Sequence, residues 1–192
     1  QVLERASARE TAARVAAGAF VRSLLAEVGL QVFAYVAAIG QIRADRAAPQ
    51  ADWRSVRDKS PLYTLDPESD AEMVAAIDAA REAGDTLGGI VEVVATGVPP
   101  GLGSHVALDR RLDARLAAAL MSIPAIKGVE IGLGFEASRL TGSQVHDEIA
   151  FDASRRNEPS LGYVRSANNA GGIEAGISNG QPILLRAAMK PI

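Results

Sequence analysis

The sequence predicts an α+β fold, a layered arrangement in which helices lie against antiparallel β-sheet. Two observations carry this. The strand candidates mostly show one apolar face, and they are separated by helices or long loops. Buried parallel strands would be apolar on both faces and would alternate regularly with helices, so a doubly wound sheet is disfavoured. A chain of 192 residues that is 48% hydrophobic can bury one core, so residues 1–192 are read as a single core domain. It starts with Gln, and its last strand stops at Ile192 with neither turn nor cap, which reads as a piece of a longer chain.

The first element is a helix. Ser7 to Glu10, "SARE", has the capping-box pattern, with Ser7 accepting from the Glu10 N–H and the Glu10 side chain reaching back. Ala13, Ala17, Phe20, Leu24 and Val28 form a stripe at three- and four-residue steps, and Gly29 ends it. The remaining positions are rich in Ala and Gly, so burial on more than one side is expected. A strand follows over 30–39. Residues 43–65 read as irregular, with Trp53 and Tyr63 as apolar tethers. A second helix begins at the Asp66 cap and Pro67 and closes at Gly84.

Residues 88–97 read as a strand, 98–104 as a loop, and 109–123 as a third helix with Leu112, Leu116 and Leu120 in line. In 125–135, Val129, Ile131, Leu133 and Phe135 alternate with Gly128, Glu130, Gly132 and Gly134. That predicts a strand with one core face and one nearly bare face. Residues 136–167 read as polar, irregular and mobile. The last strand, 181–192, turns Ile183, Leu185, Ala187 and Met189 inward.

Composition excludes several functions. The net charge is −3 with Lys and Arg dispersed, which argues against nucleic-acid and anionic-membrane partners. The apolar runs are too short to span a bilayer, and no secretory signal is visible. Cysteine is absent, which removes thiolate metal sites and fits a reducing cytoplasm. His105 and His146 are solitary in polar loops, so no metal site and no catalytic triad is predicted. Asp147 and Glu148 read as an exposed charged turn. The glycine-rich stretch 168–180 has neither GxGxxG nor a Walker sequence and favours a structural turn. The helix start flanked by Arg5 and Arg9 has the chemistry to hold an anion, but on the residues alone an ordinary capped helix with surface arginines is the favoured reading.

Four stretches in order, "ERASARETAARVAAGAF" (4–20), "ALMSIPAIKGVEIGLGF" (119–135), "GSQVHDE" (142–148) and "NNAGGIEAGISNGQPILLRAAMKPI" (168–192), resemble the chorismate synthases. The resemblance runs over essentially the whole chain. It implies helices sandwiched between antiparallel sheets, a cytoplasmic homotetramer, and conversion of 5-enolpyruvylshikimate 3-phosphate to chorismate by trans-1,4-elimination of phosphate. Reduced FMN is implied as cofactor, with NADP beside it among the nucleotides of the family. By the same resemblance the flavin contacts fall on Arg5, Ala6, Ser7, Pro124, Ala125, Ala175, Lys190, Pro191 and Ile192, and Arg9 falls to the anionic substrate. Pro124 stands where the family usually has Asn or Gln, and Ala175 where it usually has Gly. The family's histidine-bearing Gly-x-Ser-His-Gly sequence and its Arg-Ser-Asp sequence are absent, so His105 and His146 inherit no catalytic role. A folded core with no turnover and at best weak FMN affinity is expected, and the alternative is a non-catalytic assembly core. A generic flavin reductase would need a nicotinamide fingerprint that the sequence lacks.

Overall fold

A computed structural model describes residues 2–6, 8–44, 52–158 and 160–192. Its centre is a five-stranded sheet in the order β2-β1-β3-β9-β4, built from β1 (Gln31–Ile39), β2 (Ile42–Arg43), β3 (Gly89–Thr96), β4 (Ile126–Ile131) and β9 (Ile183–Met189). Every pairing in it is antiparallel. Short hairpins form from β5 (Ile149–Phe151) with β6 (Tyr163–Arg165), and from β7 (Ile173–Glu174) with β8 (Ile177–Ser178). The α+β class expected from the strand patterning is therefore what the chain adopts.

One face of the sheet packs on α5 (Leu112–Met121). Leu112, Leu116 and Leu120 lie against a core of Val98, Ile173, Ile183 and Leu185. The leucine spacing puts all three on one helical face, as the sequence predicts. The other face packs on α3 (Trp53–Lys59) and the segment after it, where Trp53, Val56 and Leu65 meet Phe33, Tyr35, Val94 and Leu184. Residues 53–59 are thus helical rather than irregular. Trp53 is a true tether, its ring 4.8 Å from Phe33 and 6.0 Å from Tyr35. Tyr63 is not, since its side chain is exposed. Helix α4 (Pro67–Glu82) starts as expected, with Asp66 accepting from the Glu68 N–H. Its buried Asp70 accepts from Ser60 and Thr64 at 2.9 and 2.6 Å, which fixes the helix to the preceding turn.

Three expectations fail. Helix α1 (Val2–Arg5) precedes α2 (Ala8–Glu27), but α2 is not buried: Phe20, Leu24 and Val28 are 78%, 63% and 67% exposed. Among the described residues no layer covers its stripe. The capping box centres on Ser7, outside the described residues. The strand predicted to reach residue 135 ends at Ile131, because Gly132 and Gly134 both take left-handed backbone (φ +58°). Alternation stops there, and Phe135 is exposed in a 3₁₀ turn over Gly134–Arg139. Finally, the stretch 136–167 carries the short helix α6 (Gly142–Val145) and the β5–β6 hairpin, with Phe151 and Tyr163 edge to face at 5.6 Å.

A polar row crosses the sheet. Tyr35, Glu92, Arg186 and Glu130 stand directly opposite one another on β1, β3, β9 and β4. Tyr35 donates to Glu92 at 2.5 Å, and Arg186 pairs with Glu130 at 3.2 Å. Arg186 also donates to the carbonyls of Gly132 and Leu133, and Glu130 accepts from the Phe135 N–H, so this row holds the turn after β4.

Candidate cofactor site

Strand β9 sets the geometry. Its first residue, Ile183, lies opposite Ala95, and its last, Met189, lies opposite both Gly89 and Ile126. The register brings the turn after α5 against the tail of β9, and the Lys190 N–H donates to the Ala125 carbonyl at 3.0 Å. Two segments far apart in the chain therefore meet. Ala125 reaches this position with φ +68°, a left-handed conformation that costs a non-glycine residue about 1–2 kcal/mol. Such strain persists only where the surroundings impose it, and it concentrates at functional sites.

A third segment reaches the same end. Helix α2 leads through a tight turn at Gly29–Leu30 into β1. In its second turn Arg14 donates to the Ser122 hydroxyl at 2.7 Å, two residues before Pro124. Ser122 in turn donates to the Ala119 carbonyl at 2.7 Å, so the α5 C-terminus positions the receiving hydroxyl. Ala6 lies at the junction of α1 and α2, its N–H donating to the Val2 carbonyl. Arg9, one helical turn past that junction, pairs with Glu4 at 3.1 Å in an exposed setting that adds little stability. Arg5 closes α1; its side chain, like Ser7, is outside what is described.

Pro124 and Ala125 are half-buried, while Lys190, Pro191 and Ile192 are exposed. The Lys190 ammonium donates to the Pro191 carbonyl at 2.9 Å. Gly88 makes room for this tail, since a Cβ there would come within 2.5 Å of the Met189 carbonyl oxygen. An apolar cleft of about 510 Å³ opens at this end, lined by residues that include Val36, Ile77, Ala80, Leu87 and Met189, with Arg81 and Asp85 also on its wall.

Ala175 is elsewhere. It is the first loop residue of the β7–β8 hairpin, hydrogen-bonded near the N-terminus of α5 through Gly176, whose carbonyl accepts from Leu112. The length of α5, roughly 15 Å, separates that end from the 124–125 turn. Ala175 and Gly176 have φ of +50° and +81°, as a two-residue hairpin turn requires. The glycine-rich stretch likewise serves contacts within the chain. A Cβ on Gly132 would lie 2.2 Å from the Asn169 carbonyl oxygen, and one on Gly172 would lie 2.5 Å from that of Pro182. Asp147 is a backbone clamp, accepting from the N–H groups of Asn169 and Ala170 at 3.1 and 3.3 Å. His105 and His146 are exposed and apart from the Ala125–Lys190 contact. Among the described residues no group of three or more metal-ligating side chains occurs.

With this geometry in place, comparison with known proteins identifies the lineage. The profile of the chorismate synthase family matches residues 1–192. The chain belongs to the chorismate synthase family. It is 58% identical to the chorismate synthase of Geobacter sulfurreducens and 59% identical to that of Geobacter metallireducens, in each case over the whole chain and 49% of the relative's length. A crystal structure of chorismate synthase superposes with a TM-score of 0.90 at 49% identity, covering 99% of this chain and 58% of the other. The chain thus spans about half the length of the curated chorismate synthases it matches.

Sequence reasoning missed the contact of Arg14 with Ser122 and the polar row behind β4. The lone Glu92 and Arg186 within apolar strands were the signals for the row, since a charge among core residues needs a partner.

Proposed function

We propose that this chain is the flavin-holding core of a chorismate synthase, acting in the shikimate pathway on 5-enolpyruvylshikimate 3-phosphate with reduced FMN. The observation that supports the reading is the contact of the strained 124–125 turn with the Lys190 tail at one end of the sheet, with Arg14 of α2 hydrogen-bonded to the neighbouring Ser122. The residues there suit a flavin mononucleotide. Lys190 offers an exposed ammonium, the left-handed Ala125 turn presents backbone polar groups, and the adjoining cleft is apolar. Ala6, Arg5 and Ser7 would complete the cradle, and Pro124 would act through its carbonyl, having no side-chain donor. Pro191 and Ile192 continue the same exposed tail.

Bound reduced flavin would supply the electron density that helps expel phosphate. This chain's contribution is positional. Lys190 holds the anionic or carbonyl part of the cofactor, and Arg9 offers a guanidinium fork to the phosphate or carboxylate of the substrate. Ala175, at the other end of β9, joins this cradle only if a second copy of the chain supplies it, as the homotetramer expected for the family would allow. Nothing in the cluster transfers protons, so the chain alone binds FMN without turnover.

Titration of FMN, followed by quenching of flavin fluorescence, tests this. Saturable binding that weakens about tenfold in Lys190→Ala, the loss of one charge-assisted contact, is expected, with no phosphate release from substrate. Binding unchanged by that substitution, or steady phosphate release, refutes it. A second reading, a non-catalytic assembly core, is favoured by one feature, the exposed apolar stripe of α2. A tetramer by light scattering with no response to FMN would select it.

A further inference from the structure

Helix α2 has few anchors. Val15, Phe20 and Leu24 along it are exposed. Among the described residues, one hydrogen bond joins it to a part of the chain other than α1 and its own turn at Gly29–Leu30: Arg14 Nη1 to Ser122 Oγ at 2.7 Å. Gly29 has a φ of +81°, and a Cβ there would meet nothing within 4 Å, so that turn is a loosely packed hinge. Arg14 stands about 20 Å up the helix from it, at 1.5 Å per residue, and a swing of about 10° at the hinge would carry it about 3–4 Å. A second point of attachment removes that freedom.

Both partners of the bond are held. Arg14 Nε and Nη2 lie 3.5 Å from Glu10 Oε1, one helical turn back, which aims the guanidinium while Nη1 reaches outward. Ser122 caps α5, its N–H donating to the Ala118 carbonyl and its hydroxyl to that of Ala119 at 2.7 Å. The chain then enters a turn closed by the Ile126 N–H on the Ile123 carbonyl at 3.2 Å, with φ of Pro124 fixed by its ring and Ala125 left-handed. The Ala125 carbonyl accepts from Lys190. One stiff path thus runs from Arg14 through Ser122 and the 123–126 turn to Lys190.

We propose that Arg14 is a positioning residue for the cofactor site: its bond to Ser122 fixes the direction of α2 relative to the 124–125 turn and Lys190, without touching the cofactor. The proposal rests on the flavin reading above, which assigns Arg5, Ala6 and Ser7 at the start of α2 to the same cradle. An exposed hydrogen bond adds little to global stability. Its effect falls on affinity, because a site that is assembled for only part of the time binds more weakly by that fraction.

FMN titration by flavin fluorescence separates positioning from direct contact. Ser122→Ala leaves the Arg14 guanidinium and its charge in place and removes only the hydroxyl that receives it. It should weaken FMN about three- to tenfold, as much as Arg14→Ala does. The double variant should bind no more weakly than either single one, and Ser122→Thr, which keeps the hydroxyl, should bind as the parent does. Arg22→Ala removes an exposed charge from the same helix and should also bind as the parent does. The latch can be read without cofactor too. The chain has no cysteine, so spin labels at Ala12→Cys and Lys59→Cys, both exposed, report one distance. Its distribution should be narrow in the parent and broaden in Ser122→Ala and in Arg14→Ala. Parent-like FMN affinity in Ser122→Ala, additive losses in the double variant, an equal loss in Arg22→Ala, or a distance distribution indifferent to both latch variants would each overturn the proposal, and the flavin reading would stand as long as Lys190→Ala weakens binding. FMN affinity indifferent to Lys190→Ala refutes the flavin reading and this proposal with it.

Discussion

Replacing Gly132 by Ala tests the packing that joins the sheet to its loops. Two costs add at this residue. Its φ of +58° is left-handed, which costs an alanine about 1–2 kcal/mol. The new Cβ would also meet three backbone atoms, at 2.2 Å from Asn169 O, 2.6 Å from Gly171 N and 2.7 Å from Ala170 C, and none is the movable end of a side chain. The loop 168–171 must retreat, and two hydrogen bonds stand to be lost: Leu133 N–H to Asn169 O at 2.9 Å and Gly132 N–H to Leu184 O at 3.0 Å. At about 1 kcal/mol each they bring the expected loss to about 3–4 kcal/mol. For a chain of this length that lowers the melting temperature by about 6–16 °C. Gly128→Ala is the control on the same strand, since its Cβ would meet only Ala188 Cβ at 3.6 Å, an ordinary contact, and its φ is not left-handed. Paired urea and thermal unfolding measure both variants. A Gly132→Ala loss below about 1 kcal/mol, or one matched by Gly128→Ala, would refute the view that close backbone approach is what this glycine provides.

Ala175→Gly should stabilise the chain by about 0.5–1 kcal/mol, since relief of left-handed strain outweighs the added freedom of the unfolded chain, and thermal melting would register it as a rise of about 1–4 °C. The Asp113 carboxyl is held below its ordinary value, chiefly by the hydrogen bond from Arg111. Its contribution to stability is therefore present above the unfolded-state value near 3.8 and is lost as pH falls through the lower folded-state value. In Asp113→Asn that part of the acid limb should disappear, so melting temperature plotted against pH should be flatter below about pH 4 than in the parent, with the two curves parallel at neutral pH.

The assembly reading rests on the exposed stripe of α2. Helix α2 spans about 30 Å. It touches the sheet through the turn at Gly29–Leu30 and the rest of the molecule through Arg14, leaving Val15, Phe20, Leu24 and Val28 exposed between. Burying Phe20 and Leu24 alone would be worth roughly 3–6 kcal/mol, so a surface laid against α2 would contribute substantially to stability.

Local chemistry made much of this legible in one dimension. The Asp66–Pro67 cap, the leucine line of α5 and the buried Ile183, Leu185 and Ala187 of β9 follow from periods of 3.6 and 2 that a single segment carries by itself, whereas Met189, expected inward with them, is exposed at the strand end. So do the α+β class and the motifs that resemble chorismate synthase. What only the tertiary structure decided is which of those segments are neighbours. The pairing of β9 between β3 and β4 sets Lys190 on Ala125 and leaves Ala175 at the opposite end. The left-handed turns at Gly132 and Gly134 end a strand whose alternation continues unbroken in the sequence. Whether the α2 stripe is covered depends on a surface that its own residues do not encode. Periodicity reports which side of an element is apolar, whereas register and burial are properties of pairs of elements and arise only when the chain closes on itself.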